Sequence, residues 1–346
     1  MLQVVIRRFG GPEVLEIDEL PTPEPGPGEV RVRLTSIGMN HAELMARRGQ
    51  YKIASGEPPF TPGLEAGGIV EAVGLGVAEG RVGLRVILSP DAPRRKETEG
   101  RGGRHGTYRS HYVLPAEKVI PAPDNLRDEQ LGAVMLIWLT AWGCFVWKGE
   151  VGPGMTVALS AESSGAALAA AQLLRRVGAI PYGLTSGPEK VERLNGMPEA
   201  PYERVLLTHE PDGRLRPFHR TLREWTGGRG VDLVYDAVGA GPYLQEMIGA
   251  VADRGTVWIY GLLGRPDVLN VSPLIRKHAD LRGWAVTELI EAGPEAFMPG
   301  CREILDGFAR GLYRLPVAGT FPFSDVVRAH ATMEEGRHIG KFILIP

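Results

Sequence analysis

The sequence predicts an α/β chain of two domains: a parallel six-stranded sheet wound with helices over residues 125–288, and a β-rich domain assembled from residues 1–124 and 289–346. Three observations lead there. After about Asn125, short apolar runs alternate with helical segments, the texture of strand–helix repeats. Before it, apolar and polar residues alternate in short runs between turns rich in Gly and Pro. The closing GKFILIP is one more β-like run, read as returning to the first domain. At 346 residues the chain exceeds one ordinary domain, so two cores are the natural prior.

Taken in order, VRVRLTSIGM, GGIVEAVG and GLRVILS read as half-buried strands. PTPEPGPGE is an extended connector. NHAELMARRG is one short helix, N-capped by the Asn40 side chain and stopped by Gly49. LRDEQLGAVMLIWLTAWGCFVWKG is a largely apolar helical stretch. Six runs follow as strands: TVALS, AIPYGLT, ERVLLT, VDLVYDAVG, TVWIYG and LRGWAVT. Helices over 165–177, 188–194, 218–226 and 242–252 separate them, with one more over 294–310. Continuously apolar strands are buried on both faces, as in a parallel sheet.

The formal net charge of −2 provides no field for nucleic acid or a membrane surface. No run of about 20 apolar residues offers a spanning helix, and MLQVVIRRFGG has charges where a signal peptide needs an apolar block. Cys144 and Cys301 form no CxxC pair, so they read as buried small residues in a reducing cytoplasm. Arg94, Arg95, Lys96, Arg101 and Arg104 form a basic run broken by Glu97 and Glu99 and free of aromatics, which reads as a solvated loop.

The first strand–helix turn, TVALSAESSGAALAAAQLL, has the small residues that a dinucleotide fold of the Rossmann type requires. The chain must turn sharply there and aim backbone N–H groups at a pyrophosphate. Ser163, Ser164, Gly165 and Ala166 are the candidate phosphate contacts. In the register Glu162-x-Ser164-x-x-Ala167 a carboxylate replaces the first glycine. A carboxylate about 4 Å from a phosphate would oppose binding by roughly 4 kcal/mol at an effective dielectric near 20. Either Glu162 points away, or it is neutralised, or the turn binds a dinucleotide poorly. The second strand ends in Thr185 and Ser186, with Lys190 beyond and no acid at the strand end. Hydroxyls and a cation suit the 2′-phosphate of NADPH, with Glu189 partly neutralising Lys190.

Read together, these residues resemble the zinc-free quinone oxidoreductase branch of the medium-chain dehydrogenase/reductase superfamily. The matching stretches run through nearly the whole chain: SIGMNHAELMARRGQY, PFTPGLEAGGIVEAVG, HGTYRSHYVLPAEKVIPAPDNL, LTAWGCF, TLREWTGGRGVDLVYDAVG and MEEGRHIGKFILIP. The resemblance implies a GroES-like catalytic domain beside the Rossmann domain. Zinc members have Cys where this chain has Asn40 and His where it has Leu64, so the implied metal set is absent. The four-cysteine lobe is missing, and His41, His105 and His111 read as ordinary polar residues. The chain departs from the family at Glu43, Trp138 and Thr208, which replace Asp, a smaller residue and Tyr.

By this resemblance Asn40 hydrogen-bonds the cofactor ribose or the substrate oxygen. Thr140 lies beside the nicotinamide, and the backbone of Gly261 and Leu262 holds its carboxamide. Tyr51 is the candidate donor to a developing oxyanion, since a phenol is protonated at neutral pH. The implied reaction is hydride transfer from NADPH to a quinone or an α,β-unsaturated carbonyl. An enoyl-thioester (enoyl-CoA) reductase and a cofactor-binding protein with little catalysis are the alternatives. A homodimer paired through the edge strand LRGWAVT is implied by analogy.

Overall fold

The structure, a computed structural model, describes residues 1–51, 57–94, 106–149 and 151–346. Most of the basic run (Arg95, Lys96, Arg101 and Arg104), together with His105, lies outside the described residues.

The chain forms two compact units, Met1–Ile137 with Cys301–Pro346, and Trp138–Gly300. The divisions fall later in the chain than the expected 124/125 and 288/289. Helices cross both of them, Met135–Trp142 and Pro294–Ala309, and a helix leaves no change of texture where it passes from one core to another.

The first unit begins with β1 (Leu2–Ile6) paired antiparallel to β2 (Leu15–Glu19). Then come β3 (Glu29–Gly38), α1 (His41–Arg47), β4 (Gly67–Val73), β5 (Arg85–Leu88), β6 (His111–Pro115) and β7 (Val119–Pro121). The apolar stretch after Asn125 is not one helix: a 3₁₀ turn over Asp128–Ala133, α2 (Met135–Trp142) and a π turn over Gly143–Trp147 divide it.

The second unit alternates strand and helix as the apolar runs predict: β8 (Thr156–Ser160), α3 (Gly165–Arg176), β9 (Ile180–Thr185), α4 (Pro188–Asn195), β10 (Arg204–Leu207), α5 (Phe218–Trp225), β11 (Val231–Asp236), α6 (Gly241–Ala250), β12 (Val251–Ile259), α7 (Ser272–Lys277) and β13 (Asp280–Gly283). The six strands lie in the order β10-β9-β8-β11-β12-β13, and every pairing is parallel. The sheet reverses direction of growth between β8 and β11, the switch point where such sheets bind ligands at their carboxyl ends. LRGWAVT is a strand only as far as Gly283, and its last two residues open α8 (Val286–Glu291). Trp284 ends the strand by packing on Gly143, where an added Cβ would stand 2.4 Å from its ring.

After α9 (Pro294–Ala309), the tail contributes β14 (Val317–Pro322), α10 (Val326–Glu334) and β15 (Lys341–Ile345). β15 pairs antiparallel with β3, so the tail does rejoin the first unit, in a seven-stranded sheet. Val30, Val32, Leu34, Phe342 and Leu344 share one buried core there. Cys144 and Cys301 are both buried thiols. Among the described residues no helix is long and apolar enough to cross a membrane.

Candidate active site

In the second unit the switch point is fastened by a buried hydrogen-bond cluster. Ser160, the last residue of β8, donates to Asp236 Oδ1 at 2.6 Å, and its Oγ accepts from Ala237 N at 2.7 Å. Asp236 also accepts the Val238 and Gly239 amides, each at 2.9 Å. Burial pushes its carboxyl up, against the pull of those donors. Ala161 then turns the chain with φ of +49°, a left-handed conformation that opposes a non-glycine residue by about 1–2 kcal/mol.

Ser164 caps α3, its Oγ accepting from Ala167 N at 3.2 Å. Helix geometry leaves the preceding amides of Gly165 and Ala166 without an intrahelical acceptor. Lys190, on α4, is 8% exposed and donates to Ser163 Oγ at 3.0 Å. Two open amides and two hydroxyls on one turn, with the buried Lys190 ammonium beside them, fit a dinucleotide's phosphates. Ser186 is exposed on the loop before α4, and the buried Thr185 hydroxyl accepts from Gly187 N at 3.1 Å.

Glu162 is not at the surface. It is 2% exposed, and its Cβ lies over β9, where a Cβ on Gly183 would stand 3.2 Å from it and from the Tyr202 ring. The Tyr202 hydroxyl donates to the Glu162 carbonyl at 2.7 Å. Burial pushes the Glu162 carboxyl up to about 7, against the pull of Thr185 and Lys190. Glu162 is thus an acid acting on Lys190, and Glu189 is exposed at the start of α4.

At the ends of β11 and β12 two backbones meet. A Cβ on Gly261 would stand 2.7 Å from Ala237 O, while Leu263 N and Gly264 N donate to Ala237 O and Val238 O at 3.0 and 2.8 Å. Leu262 between them is 57% exposed. The Thr140 carbonyl accepts the Trp284 indole N–H at 2.8 Å, which fixes the backbone that carries the Thr140 hydroxyl. Trp138 is wholly buried. Thr208 is buried too, and it donates to the Thr185 carbonyl at 2.8 Å.

In the first unit Asn40 sits at the N-cap position of α1, but its side chain does not cap the helix. Lys341 donates to Asn40 Oδ1, and an ammonium can only donate, which fixes the amide's orientation. Asn40 Nδ2 then faces Gly38 O at 3.1 Å and the carboxylates of Glu43 and Glu65, each at 3.3 Å. Its donors are thus taken, and only the second lone pair of Oδ1 is left for a ligand. In this arrangement Nδ2 is engaged by protein acceptors, and Oδ1 retains the capacity to accept. Lys341 also pairs with Glu65 at 2.6 Å. A resident ammonium between Asn40 and Glu65 would repel a metal dication at the place where zinc relatives hold one, and Leu64 there contributes only its backbone N–H, to Glu43 Oε1 at 3.1 Å.

Behind Asn40 runs a directed chain of donors. Arg47 contacts His330 Nδ1 at 3.3 Å; because Arg only donates, the proton of the neutral imidazole sits on Nε2. Nε2 faces the Tyr108 hydroxyl at 3.2 Å, which donates to Glu43 Oε2 at 3.0 Å. Burial lowers His330 to about 3, with Arg47 adding to it. Burial raises Glu43 to about 7, against the pull of the Asn40 amide, Lys341 and Tyr108. Tyr51 is half-buried. Sequence reasoning missed Glu65, Tyr108, His330 and Lys341; a lysine inside the apolar tail strand KFILI was the available signal.

Residues 26–124 match the model of the alcohol dehydrogenase GroES-like domain, and residues 207–344 match that of a zinc-binding dehydrogenase. The second match does not include positions 40 and 64, where the zinc ligands would stand. A quinone oxidoreductase of Pseudomonas aeruginosa is 32% identical over 347 residues, covering 98% of this chain and 97% of that protein. A 2-haloacrylate reductase from a Burkholderia species is 30% identical over 358 residues, covering 100% and 99%. Among solved structures, the Escherichia coli quinone oxidoreductase complexed with NADPH superposes with a TM-score of 0.83, at 26% identity and full coverage of both chains.

Proposed function

Because the chain belongs to the zinc-free, quinone oxidoreductase-like branch of the medium-chain dehydrogenase/reductase superfamily and is an NADPH-dependent reductase, we propose that its hydride acceptor is a quinone or an α,β-unsaturated carbonyl. The observation that carries this reading is the Lys341–Glu65–Asn40 cluster. An ammonium in that place stands against a metal that would polarise an ordinary carbonyl, which supports an acceptor activated by its own conjugation. The names of two relatives, a quinone oxidoreductase and a 2-haloacrylate reductase, support it.

Bound NADPH supplies the hydride. The chain's part is to bind and orient. The Gly165 and Ala166 amides with the Ser163 and Ser164 hydroxyls take the pyrophosphate, and Lys190 with Ser186 takes the 2′-phosphate. Thr140 and the Gly261–Leu262 backbone hold the nicotinamide end. Asn40 Oδ1 accepts a ribose hydroxyl, and Tyr51 donates to the acceptor oxygen as it gains charge. We also propose that two copies pair through β13, which is an edge strand.

The test is NADPH oxidation followed at 340 nm against a panel of quinones, enones and enoyl-CoA thioesters. Turnover of quinones or enones is expected. Turnover of enoyl-CoA alone would make the chain a thioester reductase, and cofactor binding without any turnover would make it a binding protein.

A further inference from the structure

We propose that NADPH binding by this chain takes up a proton onto Glu162, so that one buried carboxyl in the phosphate turn sets how cofactor affinity depends on pH. The proposal rests on the reading that Lys190 receives the 2′-phosphate. The turn holds one ammonium and two claimants for it. Lys190 is 8% exposed and Glu162 is 2% exposed, and Lys190 acts on Glu162 in the free protein. Glu162 Oε1 has no hydrogen-bond partner among the described residues. Gly183 leaves room for the Glu162 Cβ, with the Tyr202 ring against the same glycine. A phosphate that engages Lys190 places further negative charge beside this carboxylate and weakens its compensation. A buried charge without compensation neutralises rather than persists, and for a carboxylate that means gaining a proton from solvent. No bond in NADPH changes; the carboxylate and one proton become a neutral carboxyl.

The groups that face Glu162 leave it as the one that titrates. From α4 comes Lys190. Tyr202 precedes β10, Tyr243 comes from α6 and Tyr260 follows β12, and burial raises all three phenols. Asp236, the carboxyl at the end of β11, is already satisfied by Ser160 and two amides. His209, stacked on Tyr243 at 6.4 Å, is lowered by burial. Burial sets Glu162 at about 7 before cofactor arrives, so the uptake appears from there upward.

The test is calorimetric titration of the full chain with NADPH, and separately with NADH, in buffers of different ionisation enthalpy between pH 7 and pH 9. For wild type we expect NADPH binding to take up a fraction of a proton near pH 7, rising toward one at pH 8.5. Its Kd should then rise about tenfold per pH unit, as one coupled proton requires. NADH, which has no 2′-phosphate, should show no such uptake. Glu162→Gln, of the same shape, and Glu162→Ala should both lose the NADPH-linked uptake and flatten the affinity profile. Equal proton counts in wild type and both variants would overturn the coupling. Lys190→Met separates the two readings. If it weakens NADPH alone while proton counts match, the coupling falls and the phosphate site stands. If it weakens both cofactors alike, the phosphate site falls and the coupling falls with it.

Discussion

Lys341 Nζ stands 2.6 Å from Glu65 Oε1, with the two side chains 4% and 5% exposed. Removing one partner of such a pair leaves a charge stranded, a loss of about 3–5 kcal/mol. Lys341→Met should therefore lower the unfolding free energy by about that amount in urea titrations, and adding Glu65→Gln should return part of it. A single-variant loss under about 1 kcal/mol would place the pair among weak, solvent-compensated contacts.

Lys190→Met retains the apolar stem and removes the charge. Losing one charged contact should weaken NADPH by about ten- to a hundredfold, or roughly 1.5–3 kcal/mol, and leave NADH nearly unchanged. Fluorescence titration of both cofactors decides this. Tighter binding of NADH than NADPH by wild type would contradict the strand-end reading.

Tyr51→Phe tests the oxyanion donor. Loss of one preorganised donor lowers kcat by about 10²–10³, with KM for the quinone little changed. If kcat falls less than about threefold in steady-state assays, some other group polarises the acceptor.

Glu162 also makes the free protein's stability depend on pH. Its folded pKa of about 7 lies above the ordinary 4.5. Its contribution is therefore complete below the unfolded value and is lost as pH rises through 7. Glu162→Gln escapes that loss. Relative to wild type it should gain thermal stability from pH 5 to pH 7 and then level off, by up to about 3 kcal/mol. A difference in melting temperature that stays constant from pH 5 to pH 8 would mean the carboxyl does not titrate in this window.

Pairing through β13 predicts twice the 37.5 kDa chain mass in light scattering at micromolar concentration. Leu281→Pro removes a backbone donor from the strand and should shift the protein to monomer. Wild type that scatters as a monomer would rule the arrangement out.

The sheet was legible because its strands are local and apolar. TVALS is buried at every position, and a run buried on both faces can be read without knowing its neighbours. The phosphate turn was half legible. Ser163 and Lys190 sit within loops whose chemistry shows in sequence, but what Glu162 does depends on Gly183 and Tyr202, which only the folded sheet brings to it. The cluster at Asn40 was not legible at all. Lys341 is 301 residues away from it, and no periodicity connects a helix cap to a tail strand. The same gap conceals the long-range contact between Tyr108 and His330.

Gly261 and Leu262 adjoin in sequence yet offer opposite prospects to anyone reshaping this reductase. Any side chain at 261 would be driven into the backbone of Ala237, so variation there disrupts the join between β11 and β12 before it reaches an acceptor. Leu262 is 57% exposed and its neighbour Leu263 44%, so their side chains can vary in size and polarity while the carbonyl-to-amide ties beneath them stay in place. A library that randomises 262 and 263 and spares 261 should keep the fold in most of its members, and one that includes 261 should fill with unfolded chains.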